Sequence, residues 1–436
     1  MIEANVAQRA RAKGRIPFRW IGGLLILLLC LTAYLDRIAV SVTASPLMGS
    51  LAITPVQLGM VTTLFSVGYF VFQMPAAALL QRFGSRTVLA VSLALWSVFT
   101  AATGLVGGLA GLAVVRGLFG IAESPVFTGG NQFFGNWFKK AERGRANSLM
   151  NAGAFAANIF GPPLVVAIVS SFGWRSVYFV FSAIGLALAG TWYIVARTRP
   201  AEHPWISREE LDEITDDIAR HSNPAAHVKT SWRVLMQQRS FWALAFGYFA
   251  TLWCVQFFIY WLPYYLQVTR QVSFRALGIY ASMPWISIVV SVLAAGLVSD
   301  FLLARGFSRY IARNLLCAFG LAVAALALVA STSASTIVAN VLWISLALGM
   351  TGVAQTLSWT IVCDIGGRIT SIVGGWMNMW GFVAASIVPT VAPIIGKLYG
   401  WNAVILLNAF ITLLGVGAYL LIATHRDLDV ATRSST

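Results

Sequence analysis

Charge is what this sequence is short of. Charged residues make up 10% of the chain, only 15 of its 436 residues are acidic, and histidine occurs 4 times. A soluble domain carries about 25% charged residues, so water is not the main solvent of this fold. The 4 cysteines, Cys30, Cys254, Cys317 and Cys363, have neither metal-ligand nor disulfide spacing, which argues against a zinc site or a disulfide framework and leaves them as packing residues. His203, His221, His227 and His425 all fall in polar segments. The apolar segments therefore hold no histidine pair, and they show no Gly-Ser nucleophile arrangement either. With no large soluble domain, an enzyme or a nutrient sensor is disfavoured, and neither a metal nor an organic cofactor is expected.

What is abundant is apolar sequence, at 58% of residues and a mean hydropathy of +0.77. A helix crosses a bilayer core with ~20 mostly apolar residues, and segments of that length recur twelve times. They are predicted near 20–45, 57–80, 88–106, 109–134, 146–171, 176–197, 241–266, 275–300, 314–331, 336–362, 370–396 and 402–425. The first is too long for a signal peptide and runs into Tyr34-Leu-Asp-Arg37 rather than a small-residue cleavage site, so it is expected to remain as a span. The net charge of +15 raises nucleic acid as a partner, but its distribution fits membrane topology instead. Only Arg175, Arg270, Arg275 and Lys397 fall in segments on one side. Arg37 and Arg116 lie within spans, and every other Lys and Arg falls on the opposite side. Basic residues accumulate in cytoplasmic loops, so both termini are expected in the cytoplasm.

The longest polar stretch divides the chain into a basic tail at 1–19, six spans within 20–197, a linker at 198–240, six spans within 241–425 and a tail at 426–436. Ser207-Arg-Glu-Glu210 has the pattern of a capping box, which predicts a helix inside a linker that otherwise tethers two halves. The halves repeat. A shift of 227 sets Met150-Asn151 on Met377-Asn378, Phe155 on Phe382, Pro162 on Pro389 and Gly173-Trp174 on Gly400-Trp401; a shift of 219 aligns Ala77–Arg82 with Gly296–Phe301. Duplicated bundles place substrate near the bilayer midplane and alternate access by rocking one half against the other.

Asp36 and Glu123 are the acidic residues lying well inside spans, and they come with Arg37 and Arg116. Each such charge costs ~2.5 to 3.5 kcal/mol at a helix centre, about 10 to 14 kcal/mol for four. Ion pairs that merely hold helices together are one explanation, although apolar packing would do so at lower cost. Arg116 and Glu123 face the same way two turns apart, ~10 Å along the axis, too far to pair. That gap could hold a small anion, bound by arginine through charge-assisted hydrogen bonds. Pro125 should loosen the helix just beyond Glu123. Asp36 and Glu123 are the groups that could carry protons through the interior, and Tyr34 and Tyr69 are further site candidates. Gln256, Tyr260, Ser358, Trp359 and Asn378 sit at mid-helix depth in the second half, where each could line a cavity or form an interhelical hydrogen bond.

Tyr34-Leu-Asp-Arg37, Ala77-x-x-x-Gln-Arg-Phe-Gly-x-Arg86, Arg116-Gly-Leu-Phe-Gly-Ile-Ala-Glu123-Ser-Pro, Asn136-Trp-Phe-x-x-x-Glu142-Arg-Gly-Arg-Ala, Gly173-Trp-Arg175, His203-Pro-Trp-Ile-Ser207 and Ser358-Trp359 resemble the major facilitator superfamily. More narrowly they resemble its anion:cation symporter family, the bacterial importers of the galactonate, hexuronate and phthalate permease type. The resemblance implies an all-α integral membrane protein with twelve transmembrane helices in two pseudo-symmetric six-helix bundles. It implies Asp36 and Glu123 as protonation sites, Arg37 and Arg116 on the substrate carboxylate, and Tyr34, Tyr69, Gln256, Ser358, Trp359 and Asn378 around it. Arg82, Arg86 and Asp300 would act in gating. The chain departs from the superfamily's loop motif at Gln81, where an Asp is usual, while the equivalent second-half position keeps Asp300.

The expectation is a monomeric, multi-pass inner-membrane symporter that imports a small organic carboxylate, foremost a sugar acid, with protons as the coupling ion. An aromatic carboxylate of the phthalate or hydroxyphenylacetate type, favoured by Trp359, Trp376 and Trp380, and a passive anion uniporter are the alternatives.

Overall fold

The computed structural model describes residues 17–139, 142–221 and 232–423. Most of the basic 1–19 tail, residues 222–231 of the linker, and the 426–436 tail lie outside the described residues. The helices are α1 Phe18–Val42, α2 Ala44–Leu51, α3 Pro55–Leu105, α4 Leu109–Glu123, α5 Pro125–Trp137, α6 Arg143–Phe172, α7 Trp174–Val195, α8 Arg208–His221, α9 Trp232–Met236, α10 Arg239–Arg270, α11 Phe274–Ala304, α12 Leu316–Thr332, α13 Ile337–Gly366, α14 Thr370–Tyr399 and α15 Trp401–Leu420. No strand occurs among the described residues.

At 1.5 Å per residue the 51-residue α3 would be ~76 Å long, far more than a ~30 Å core requires. Its helix breaks at Gly84, where φ of 76° and ψ of 165° suit a residue without Cβ, so α3 supplies two spans. With α4 and α5 forming one interrupted span, twelve result, close to the predicted positions.

The internal repeat holds at the level of single caps. Helix α14 occupies the residues of α6 shifted by 227, and the glycines ending both have positive φ, 81° at Gly173 and 84° at Gly400. Thr54 and Ser273, 219 apart, cap α3 and α11 by accepting from Gln57 N and Ala276 N. Between the halves, α1 packs on α10, α3 on α14 and α6 on α11. The closest approaches lie in the halves of these helices remote from the linker, termed the far end. An ideal Cβ on Gly59 would stand 2.1 Å from the Pro389 carbonyl oxygen, and one on Gly278 would stand 2.9 Å from Pro163 Cα and 3.5 Å from the Pro162 oxygen. Gly59 and Gly278 are 219 apart, and Pro162 and Pro389 are 227 apart, so one contact is made twice about the pseudo-twofold axis. Hydrogen bonds from Thr63 to the Ser386 carbonyl (2.8 Å) and from Ser41 to the Tyr260 carbonyl (2.9 Å) add to it.

At the linker end the halves separate around a cleft of about 640 Å³ between α6, α11 and α13. The linker itself is more than a tether. Glu210 accepts from the backbone N–H groups of Phe18 and Arg19 at 2.9 and 3.0 Å, and Arg19 pairs with Glu142, Glu210 and Glu213 at 3.0, 3.3 and 3.6 Å. Ser207 caps α8 at Glu210 N (3.1 Å), half of the predicted capping box, while the Glu210 carboxylate is diverted to α1. The Phe18 ring lies 3.7 Å from that of His203, centre to centre. Linker residues 198–221 are thus bound to the first half, whereas α9 packs on the second through Leu235 and Trp232.

Two outcomes follow. A Cβ that meets a carbonyl oxygen cannot be absorbed by a rotamer change, and overpacking costs ~1 to 3 kcal/mol. Gly59→Ala should therefore disfavour the closed far end more than Gly278→Ala does. Spin labels at Ser50 and Gln271 in a Cys363→Ser background should report longer distances in that order. Burial depresses the basicity of His203, and the hydrogen bond from Lys139 does the same for the Glu213 carboxyl. A depressed value in the docked state means stability is lost as pH falls, first through the range below the ordinary histidine value near 6.5 and then below the ordinary glutamate value near 4.3. Proteolysis within the linker should accelerate across that window, and His203→Phe should flatten its upper part.

Candidate functional site

The intramembrane charges gather in the first half. Asp36 and Arg37 follow one another on α1, and Arg116 and Glu123 lie on α4. All four are buried, with 1% of Asp36, 9% of Arg37, 4% of Arg116 and 1% of Glu123 exposed. The chain breaks just beyond Glu123, as Pro125 predicts. Ser124 N and Oγ both turn back to the Ile121 carbonyl, at 3.4 and 2.9 Å, and α5 begins at Pro125.

The Arg37 guanidinium donates through Nε (3.0 Å) and Nη2 (2.5 Å) to a single oxygen of Glu123. Rings surround the rest of it. Its Cζ lies 4.8, 5.1 and 5.3 Å from the ring centres of Tyr34, Phe65 and Tyr69. Arg116 shares the Phe65 ring at 5.5 Å and stands 4.3 Å from Phe119. Two guanidinium groups thus lean on one phenyl, each through its quadrupole. Asp36 sits beside Arg116, Thr100 and Trp96. Tyr178, whose hydroxyl is 2.8 Å from that of Thr43, and Tyr260 from the second half are electrostatic neighbours of Arg116.

Four buried atoms in this band have no hydrogen-bond partner among the described residues: Asp36 Oδ1, Trp96 Nε1, Arg116 Nη1 and Glu123 Oε2. Unmet polar atoms are costly in an apolar interior, and here two donors and two acceptors of this kind lie in one band.

The predicted residues do not all meet. Tyr34, Tyr69 and Tyr260 join the charged band, and Tyr69 also stacks on Phe382 of the second half at 5.6 Å. Trp359 lines the linker-end cleft, with Asn151, Gln355 and Thr356 among its polar neighbours. Gln256 and Asn378 are half-buried on α10 and α14. Ser358 is fully buried and bonded to the Ala354 carbonyl (2.5 Å) and the Tyr419 hydroxyl (2.6 Å), inside the second half. Each gating candidate stays within its own half: Arg82 lies against Phe83, Arg86 donates to the Tyr193 carbonyl (2.9 Å), and Asp300 faces Arg313 (3.7 Å), which also meets Asp364 (3.4 Å). Phe65, Phe119, Tyr178 and Phe382 were missed. Of these, Phe65 and Phe119 carried a signal, one turn from Tyr69 and Arg116 respectively.

The model of the Major Facilitator Superfamily matches residues 26–389. The chain belongs to that superfamily. It is a transporter rather than an enzyme, and a multi-pass protein of the inner membrane. Curated superfamily relatives include the "Probable L-galactonate transporter" of Escherichia coli (strain K12), 27% identical over 91% of this chain and 87% of that protein. The "Probable sulfoacetate transporter SauU" of Cupriavidus necator is 30% identical over 88% and 89%. The "Probable galactarate/D-glucarate transporter GudP" of Bacillus subtilis (strain 168) is 30% identical over 89% and 88%. Among solved superfamily structures, a bacterial homolog of the human lysosomal transporter Spinster superposes with a TM-score of 0.77 at 16% identity, covering 94% of this chain and 97% of that one.

The ion pair makes a sharp thermodynamic prediction. Glu123→Ala strands a buried guanidinium and should cost ~3 to 5 kcal/mol, whereas Arg37→Met combined with Glu123→Leu removes both charges and should cost far less. Thermal unfolding of the purified variants checks the difference.

Proposed function

We propose that this transporter imports a small organic anion, a sugar acid in the first instance, by proton symport with alternating access. The observation that carries the reading is the Arg37–Glu123 pair, which commits the guanidinium suited to a substrate carboxylate to a protein carboxylate instead. The two carboxylates compete for one fork of donors. A proton on Glu123 weakens its hold, because a neutral acid attracts a guanidinium far less than a carboxylate does, and Arg37 is then free to take the substrate. Asp36 is an electrostatic neighbour of Arg116 without being paired to it. Loss of the proton restores the internal pair and expels the anion, so substrate and proton move together.

Alternating access is supported by the twinned glycine contacts, which close the far end while the linker end stays open. With the linker end in the cytoplasm, where the basic loops belong, this is the inward-open state. The names of the relatives, galactonate, galactarate/D-glucarate and sulfoacetate transporters, are those of organic anions and support the substrate class.

Uptake of labelled D-galactonate, D-glucarate, sulfoacetate and phthalate by cells expressing the chain tests the reading. Accumulation of a sugar acid should collapse with a protonophore. Glu123→Gln, permanently neutral, should lower accumulation at least tenfold while retaining counterflow exchange. Accumulation that survives in Glu123→Gln would remove that residue from the coupling step, and uptake without accumulation in the native chain would make it a uniporter.

A further inference from the structure

A second cavity, of about 520 Å³, lies at the closed far end. Its walls come from both halves: Thr54, Val56 and Gln57 at the start of α3, Tyr264 on α10, and Pro393 and Lys397 on α14, with the Trp401 ring set edge-on to Tyr264 at 5.2 Å. No carboxylate lines it. Its floor is the far-end contact itself, since Pro393 Cγ stands 3.1 Å from the place of a Cβ on Gly59.

Lys397, Gln57 and Tyr264 on these walls can donate hydrogen bonds, and the Thr54 hydroxyl is engaged with Gln57. Lys397 is exposed and has no hydrogen bond or ion pair with the described residues, in contrast to Arg270, which is committed to the Ser331 and Ala334 carbonyls at 2.5 and 3.0 Å. The Gln57 amide oxygen is occupied by Thr54 N (2.8 Å) and Thr54 Oγ1 (3.2 Å), which leaves its NH₂ as the free end. An ammonium, a carboxamide NH₂ and a phenol are donors, and a group of donors with no acid among them suits an anion.

We propose that this cavity is a low-affinity site for a small organic anion on the far face, distinct from the Arg37 band and present while the halves are closed there. Opening the far end separates α3 from α14 and dismantles it. The choice of a carboxylate as ligand rests on the transport reading above; the preference for an anion does not. The same donors would hold a lipid phosphate, and the experiment separates the two sources.

A variant with Val56→Cys and Cys363→Ser, in which the three remaining native cysteines are buried, is placed in phosphatidylcholine nanodiscs at low salt and treated with an anionic sulfonatoethyl or a cationic trimethylammonioethyl methanethiosulfonate. Lys397→Gln should slow the first and accelerate the second, each about fourfold, the factor for unit charges ~5 Å apart in water (~0.8 kcal/mol). D-galactonate in the millimolar range should protect the cysteine when Lys397 is present and not in Lys397→Gln. Rates insensitive to Lys397→Gln overturn the proposal, as does protection that requires added phosphatidylglycerol and is not given by galactonate. Uptake in the same background keeps the two readings apart: charge selectivity without accumulation of any carboxylate counts against transport alone, and normal accumulation without charge selectivity counts against this site alone.

Discussion

An arginine in the bilayer interior stays protonated and has no water to turn to, so its partner decides what the helices around it can do. In this protein that partner is Glu123, and the Arg37–Glu123 bond joins α1 to α4 across the middle of the first half. Tyr34, Phe65 and Tyr69 pack around the guanidinium because ring faces are the apolar surfaces that tolerate a cation. The interruption of the helix before Pro125 leaves Glu123 at the last position of α4. A buried pair of this kind is weak evidence for stability, since apolar residues of similar volume serve as well. On the proposed reading the pair opens to admit a competing carboxylate, which would give it a reason to be there.

The rest of the architecture makes such an opening conditional. The two halves touch through a contact made twice, glycine against proline-bearing backbone on α3 and α14 and again on α11 and α6. The contact is between backbones, with no long side chains to adjust. At the opposite end the cleft beside Trp359 lies between α6, α11 and α13. Glu210 and Arg19 bind α8 to the first half, while α9 packs on the second.

Much of the fold was legible in advance because lipid imposes it. Twelve apolar stretches, a basic bias on one side and two self-alignments led to a pseudo-symmetric bundle, and the caps at Thr54 and Ser273 keep the 219-residue register to the residue. The four intramembrane charges stood out for the same reason: charge is so rare in these spans that its few occurrences mark the site. Ser358 shows the limit of that logic. A hydroxyl within a span can face the cavity or its own bundle, and Tyr419 on α15 claims this one.

By itself, then, the sequence determined the membrane, the number and pairing of the spans, and the band in which charge would be found, since each depends on composition and period along a single helix. Which charges pair was decided only by tertiary structure. Arg37 reaches Glu123 through the crossing of α1 and α4, 86 positions apart, and Phe65 sits between two arginines because α3 crosses both. No local pattern encodes a distance between helices. The packing of their faces sets it.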